Sequence, residues 1–153
     1  MDIIEACRSV PFFLGYKSNQ IEKIAHISRL VEFEVGDIPF REGSGLDFIY
    51  ILLEGEIRVE IHIPTLGNQE TSKLGPHDIL GWSAMTPIVR QRTGTTTALT
   101  HCHAIRIDAS LLQDLCEQDH EIGYYVYRRI ANVTARSFLT TRLELMNLLA
   151  KSN

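Results

Sequence analysis

The sequence predicts a mainly β fold with flanking helices, and three observations carry that reading. Apolar residues recur with period two from Leu30 to Ile107, with period 3.6 on either side of that span, and glycine-containing turns punctuate the β part at short, regular intervals. Short strands so spaced indicate a β-sandwich or barrel. The 153 residues suit one domain with a real core, and 44% hydrophobic with 22% charged residues is an ordinary globular balance. A net charge of −4 argues against a nucleic-acid binder, which needs a basic surface. No apolar run approaches a membrane span and no basic-then-apolar leader opens the chain, so a cytoplasmic protein is expected. The three cysteines Cys7, Cys102 and Cys116 form no C-x-x-C pair and read as reduced thiols, some of them buried.

Residues 1–30 read as N-terminal helices. Ile3, Ile4 and Cys7 lie at helical spacing, Pro11 stops that helix, and Phe12 and Phe13 plug one end of a core. Ser18-Asn19-Gln20 opens a second helix, with Asn19 and Glu22 spaced as a capping box. Ile21, Ile24, Ala25 and Ser28 form its inward stripe, and His26 beside the stripe reads as packed or solvated rather than functional.

Residues 31–107 read as the β part. Val31, Phe33 and Val35 alternate with Glu32 and Glu34, Gly36-Asp37 turns the chain, and Ile38 and Phe40 begin another strand. After a turn at Arg41–Gly45, Phe48–Leu53 suits a strand buried on both faces. Ile57, Val59, Ile61 and Ile63 then alternate with Arg58, Glu60 and His62, and Pro64–Asn68 is a hairpin tip from which Gln69–Leu74 returns. Thr93–Thr100 and His101–Ile107 close the set.

Between them lies the stretch around which the chain is organised, Leu74 to Leu99. Gly75-Pro76-His77-Asp78 is turn chemistry. Gly81 permits a tight backbone where a small ligand can approach. Trp82-Ser83-Ala84-Met85 makes one helical turn whose amides are free, and Arg90 and Arg92 follow within reach. Bare amides beside a guanidinium form an anion site, and phosphate is the usual anion.

Residues 109–150 read as C-terminal helices. Ser110 and Gln113 are spaced as a capping box, with Leu111, Leu112 and Leu115 inward. Asp119 caps a long helix to about Ala150, in which Gly123 is the weak residue. Ile122, Val126, Ile130 and Val133 face inward, and the stripe continues as Thr134, Phe138, Thr141, Leu145 and Leu148, a heptad seam of about two repeats. A helix of roughly 30 residues extends about 45 Å, so it must lie against more than its own barrel. The seam predicts a homodimer; two helices folded back on each other are the alternative.

The order of elements, the turn at Gly81, the arginine loop and the long last helix resemble the cyclic nucleotide-binding domain family, the sensor fold of catabolite activator proteins and protein kinase A regulatory subunits. The resemblance covers about Phe12 to Leu149, with Gly36-Asp37, Gly43, Tyr50-Ile51 and Gly55 on the family's early signature. It implies one such domain over residues 1–153, a β-roll or jelly-roll barrel with N-terminal helices and a long C-terminal helix. The family's phosphate-binding cassette reads Phe-Gly-Glu-apolar-Ala-Leu, then Pro-Arg-x-Ala-Thr. Leu80–Met85 takes the first part and Gln91–Thr95 the second. The resemblance then implies that Arg92 pairs with a cyclic phosphate, that Thr93 also touches it, that Gly81, Ser83 and Ala84 offer amides, and that Thr134, with Ser137 next, meets the base.

Trp82 departs from the pattern, because the family places there a Glu that accepts the ribose 2′-hydroxyl. Indole donates one N–H and accepts nothing. Losing that charged hydrogen bond is worth about 1.5–3 kcal/mol, roughly ten- to a hundredfold in affinity.

The function so implied is a regulatory sensing module, not an enzyme. It takes no cofactor, binds cyclic AMP, cyclic GMP or another phosphorylated ligand, and signals through its long helix to a twin subunit or partner protein. Only Lys151-Ser152-Asn153 follow that helix, so no output domain and no DNA binding by this chain alone are expected. The alternative is a ligand-free interaction module in which Trp82 fills the pocket and the long helix mediates dimerisation or docking, and for which Arg92→Ala would alter neither stability nor association. Nucleophilic catalysis has no support, since Gly81-Trp82-Ser83-Ala84 is not a nucleophile elbow. His101-x-His103 resembles the metal pair of cupin barrels and shares one strand face. The Glu that should follow is absent, Asp108 stands five residues on, and His120 begins the helical region, so no metal is predicted.

Overall fold

The computed structural model describes residues 1–152. Two antiparallel sheets form the β part: one ordered β1-β7-β2-β5 and one ordered β4-β3-β6. Their strands are β1 Ser28–Phe33, β2 Phe48–Glu54, β3 Ile57–Ile63, β4 Gly67–Leu74, β5 Ile79–Leu80, β6 Thr95–Ala98 and β7 Cys102–Asp108. The helices are α1 Ile3–Arg8, α2 Ser18–His26, α3 Ala109–Gln118 and α4 His120–Lys151, with short 3-10 turns at Pro11–Phe13 and Trp82–Met85. This is the β-roll with N-terminal helices and a long C-terminal helix that the family resemblance implies.

The apolar run in β2 becomes the most enclosed strand, with Ile49 to Leu52 buried between β7 and β5. One face of the first sheet, through Ile49, Ile51, Ile105 and Ile107, packs on the helices; the other, through Tyr50, Leu52 and Ala104, packs on the second sheet. Phe12 and Phe13 are buried in the helical layer beside Tyr16. Leu112 and Cys116 of α3 and Ile122, Val126 and Ile130 of α4 complete that layer. All three thiols are free and buried, and burial pushes Cys116 up to about 11, so it stays protonated at neutral pH. Among the described residues no helix is long and apolar enough to cross a membrane.

Several local readings need correction. Ile38 and Phe40 form no strand; the segment is irregular and meets β6 through single bonds, among them the Thr96 amide to the Phe40 carbonyl. The predicted strand over Thr93–Thr100 shrinks to Thr95–Ala98. Asn19 does not cap α2. The Gln20 carboxamide oxygen takes the Lys17 amide, and its nitrogen reaches Asp119 and Glu121 at the start of α4. Ser110 does not cap α3 either, since Asp108 accepts the Leu111 amide. That moves the helix start back and turns Leu111 outward, leaving Cys116 in the inward stripe. Val35, expected inward, is exposed past the end of β1.

Asp119 does cap the long helix, accepting the amides of Glu121 and Ile122. Those donors hold its carboxyl below the usual range, the Ile122 amide most of all. The helix runs unbroken for 32 residues, about 48 Å, which excludes the folded-back pair. Gly123 is required by packing: a Cβ there would stand 3.0 Å from the Cys116 carbonyl. This lets the start of α4 press against the end of α3.

Candidate functional site

The cassette turn is built from β5, the 3-10 turn and the loop to β6. Gly81 joins the first two in the left-handed region, with φ +80. The Asp78 carboxylate takes the Gly75 amide and closes the preceding turn. The Ala84 amide donates to the Gly81 carbonyl, so Ala84 offers no bare N–H, contrary to the expectation. Ala84 is itself buried. The amides of Gly81, Trp82 and Ser83 donate to no protein acceptor among the described residues.

Arg92 lies under this turn and is only 2% exposed. Its Nη1 donates to the Gly81 carbonyl at 3.0 Å and its Nη2 to the Phe48 carbonyl, while its carbon stands 4.2 Å from the centre of the Phe40 ring. The Nε–H is buried without a partner. Two bonds leave three of the five guanidinium N–H donors uncommitted. Burial pulls its pKa down, and no carboxylate hydrogen-bonds it. The backbone is held too, with the Arg92 amide on the Ser44 carbonyl and the Gly43 amide on the Arg92 carbonyl. Arg90, by contrast, is exposed and takes no part.

Above the turn is a hollow of about 670 Å3, lined mostly by apolar atoms. That is within the roughly 300–1,000 Å3 of small-molecule sites. The second sheet gives it Val59, Ile61 and Thr71, the irregular segment gives Phe40, and the cassette gives Leu80, Gly81, Trp82, Ser83, Thr93 and Gly94. Its other wall is one face of α4, with Val133, Thr134, Ser137, Phe138 and Thr141. Thr134, Phe138 and Thr141, read from the sequence as the start of an intersubunit seam, line this hollow, with Phe138 still 64% exposed.

Gly81, Trp82, Ser83, Thr93 and Thr134 therefore converge on one hollow, with Arg92 directly beneath Gly81. Trp82 is half-buried, packs against the main core and leaves the hollow open. The Thr134 hydroxyl donates to the Ile130 carbonyl at 2.7 Å, which leaves its lone pairs to accept.

Sequence reasoning missed three supports of the site. Phe40 covers the guanidinium. Gln113, expected in a cap, donates to the Ala84 carbonyl at 2.8 Å and ties α3 to the turn. Arg136 of α4 stands 3.5 Å from the Asp78 carboxylate across the mouth of the hollow.

Gly81→Ala will destabilise the chain by about 2–3 kcal/mol, readable by chemical denaturation. A Cβ at this left-handed position would collide with Arg92 Nη1 and stand 3.3 Å from the Phe40 ring.

The family model described as "Cyclic nucleotide-binding domain" matches residues 30–119, and the chain belongs to that family. A curated relative is the "CRP-like cAMP-activated global transcriptional regulator" of Mycobacterium tuberculosis, 26% identical over 126 residues. That match covers 82% of this chain and 55% of the relative, so the chain spans about half the length of the curated protein. Among solved structures, a cyclic nucleotide-binding domain from Methylobacillus flagellatus superposes with a TM-score of 0.78 at 20% identity, covering 95% of this chain and 82% of that one. The Thermus thermophilus catabolite activator protein gives 0.71 at 18% identity, covering 92% and 63%. At these identities the superpositions establish the fold.

Proposed function

We propose that this chain is a regulatory sensor that binds a cyclic nucleotide, or another small phosphorylated molecule, in the hollow between the cassette turn and α4. The observation that carries it is a buried guanidinium without a carboxylate partner, lying under a turn whose amides at Gly81, Trp82 and Ser83 have no protein acceptor. A buried cation costs free energy unless it is compensated, and a phosphate at the turn would compensate it. The amides supply the contacts, Arg92, which does not itself line the hollow, adds its charge from beneath Gly81, and Thr93 stands at the same edge. The apolar barrel wall suits a base or sugar face, with Thr134 placed to accept a hydrogen bond. The chain acts as one unit in the cytoplasm, catalyses nothing, and signals by moving α4 against a second copy or a partner protein.

Trp82 makes the second reading, a ligand-free interaction module, worth stating: no carboxylate stands where the family's ribose acceptor does. Titration separates the two. Trp82 is the chain's single tryptophan and lines the hollow, so its fluorescence reports occupancy directly. The sensor reading expects saturable heat and a fluorescence change with cyclic AMP or cyclic GMP. In Trp82→Glu, the restored acceptor should tighten cyclic-nucleotide binding about ten- to a hundredfold, provided the fold survives. No heat from either nucleotide at millimolar concentration, with the parent and with a folded Trp82→Glu chain, would defeat the cyclic-nucleotide version. A melting curve unmoved by a wider panel of phosphorylated compounds would favour the ligand-free module.

A further inference from the structure

We propose that Glu32, His101 and His103 form a binding site for a zinc-type divalent cation on the outer face of the first sheet, with Glu34 orienting one of its ligands. Strand pairing creates the site. β1 runs antiparallel to β7 and places Glu32 directly opposite His103. His101 and Glu34 each lie two residues along from one of that pair, so all four start on the same outward face. The residues between them, Phe33 and Cys102, pack inward.

The distances bring metal-ligating atoms together. His101 Nε2 and His103 Nε2 stand 3.2 Å apart, a hydrogen bond when one of them carries a proton, and Glu32 Oε1 lies 3.6 Å from His103 Nδ1. Glu32 Oε2 is 3.6 Å from His101 Nε2, too far for a hydrogen bond. One ligand atom from each residue can be chosen so that all three lie within 4.8 Å of one another. Bonds of about 2.0–2.1 Å at tetrahedral angles put ligand atoms roughly 3.3 Å apart, close to the imidazole separation. The other nitrogen of His101, Nδ1, is 3.3 Å from Glu34 Oε2. Zinc-bound histidines commonly have a carboxylate at the second ring nitrogen, which fixes the tautomer and turns the free lone pair toward the metal.

Two imidazoles and a carboxylate select a borderline ion such as zinc over magnesium or calcium, which prefer all-oxygen shells. All four side chains are substantially exposed, so an ion can enter and water can fill the remaining position. The bound ion would staple the end of β1, an edge strand, to the start of β7.

The test is calorimetric titration of the chelator-stripped chain with zinc chloride, with cobalt as a spectroscopic substitute. One zinc per chain is expected, with a tetrahedral cobalt absorption band and no heat from magnesium. His103→Gln should weaken zinc binding at least about a hundredfold, and Glu34→Gln about ten- to a hundredfold. Circular dichroism of each variant confirms the fold, which these exposed positions do not hold. Failure of the parent to take up zinc saturably overturns the proposal. So does uptake of unchanged affinity by a folded chain carrying His101→Gln and His103→Gln.

Discussion

Arg92→Ala will lose about 3–5 kcal/mol of stability and melt about 10 °C lower than the parent. The guanidinium holds the carbonyls of Gly81 and Phe48; truncation leaves the part-buried Phe48 carbonyl without this donor and takes one of two donors from Gly81, whose carbonyl keeps the Ala84 amide. It also removes the cation from the Phe40 face and opens a gap under the turn. Arg92→Lys keeps the charge but cannot fork to two carbonyls, so it should fall between parent and alanine variant. Denaturant and thermal unfolding of the three chains, without ligand, decide this. Equal melting temperatures would show that the side chain does not hold the turn. A loss of this size would run against the expectation that a ligand-free module tolerates Arg92→Ala silently, whatever the hollow binds. Loss of ligand affinity in this variant cannot be read as loss of a phosphate contact unless the turn is shown to be intact.

On the proposed pairing of α4 with a second copy, Leu139→Lys combined with Met146→Lys will raise the dissociation constant of the pair at least about a hundredfold. Beyond the hollow, α4 exposes Leu139, Leu143, Leu145, Met146 and Leu149, each more than half accessible. None of these lines the hollow. Leu139 and Met146 are one heptad apart, the repeat that keeps one face of a helix against a twin. In a two-fold pair each substitution enters the interface twice, which multiplies its effect. Light scattering across a concentration series reads the mass. A parent that stays monomeric at every concentration would remove self-association as the role of this face.

The seam read from the sequence as Thr134 to Leu148 thus divides in two. Thr134 and Thr141 line the hollow, Phe138 lines it and yet is 64% exposed, and the other exposed apolar residues continue to the end of the helix. Period alone could not make that division, because an apolar stripe carries no mark of whether its cover is the same chain or another. The same limit explains the misplaced caps. Asn19 and Ser110 have the right chemistry, but the helices begin earlier, with Gln20 taking the Lys17 amide and Asp108 the Leu111 amide, so both residues already lie inside the first turn.

The strands were legible where alternation was long, as in β3, and where apolar residues were continuous, as in β2. The segment at Ile38 and Phe40 has the pattern of a strand but joins its neighbour through scattered bonds, and Phe40 instead covers the guanidinium. The partners of Arg92 are backbone carbonyls, which no residue letter announces. Glu32 lies far from His103 in the chain, and only the antiparallel register of β1 and β7 brings the two together.

The hollow has one wall in a hydrogen-bonded sheet and the other in a single helix, and these differ in how readily they yield. A guest small enough to rest on the turn alone would leave the helix indifferent to its presence. A guest that spans the gap has a different energy for each position of α4, which is the condition for a ligand to bias a two-state element. For the sensor proposed above, reach across the gap, more than tightness of binding, would separate compounds that merely occupy the hollow from those that switch the helix.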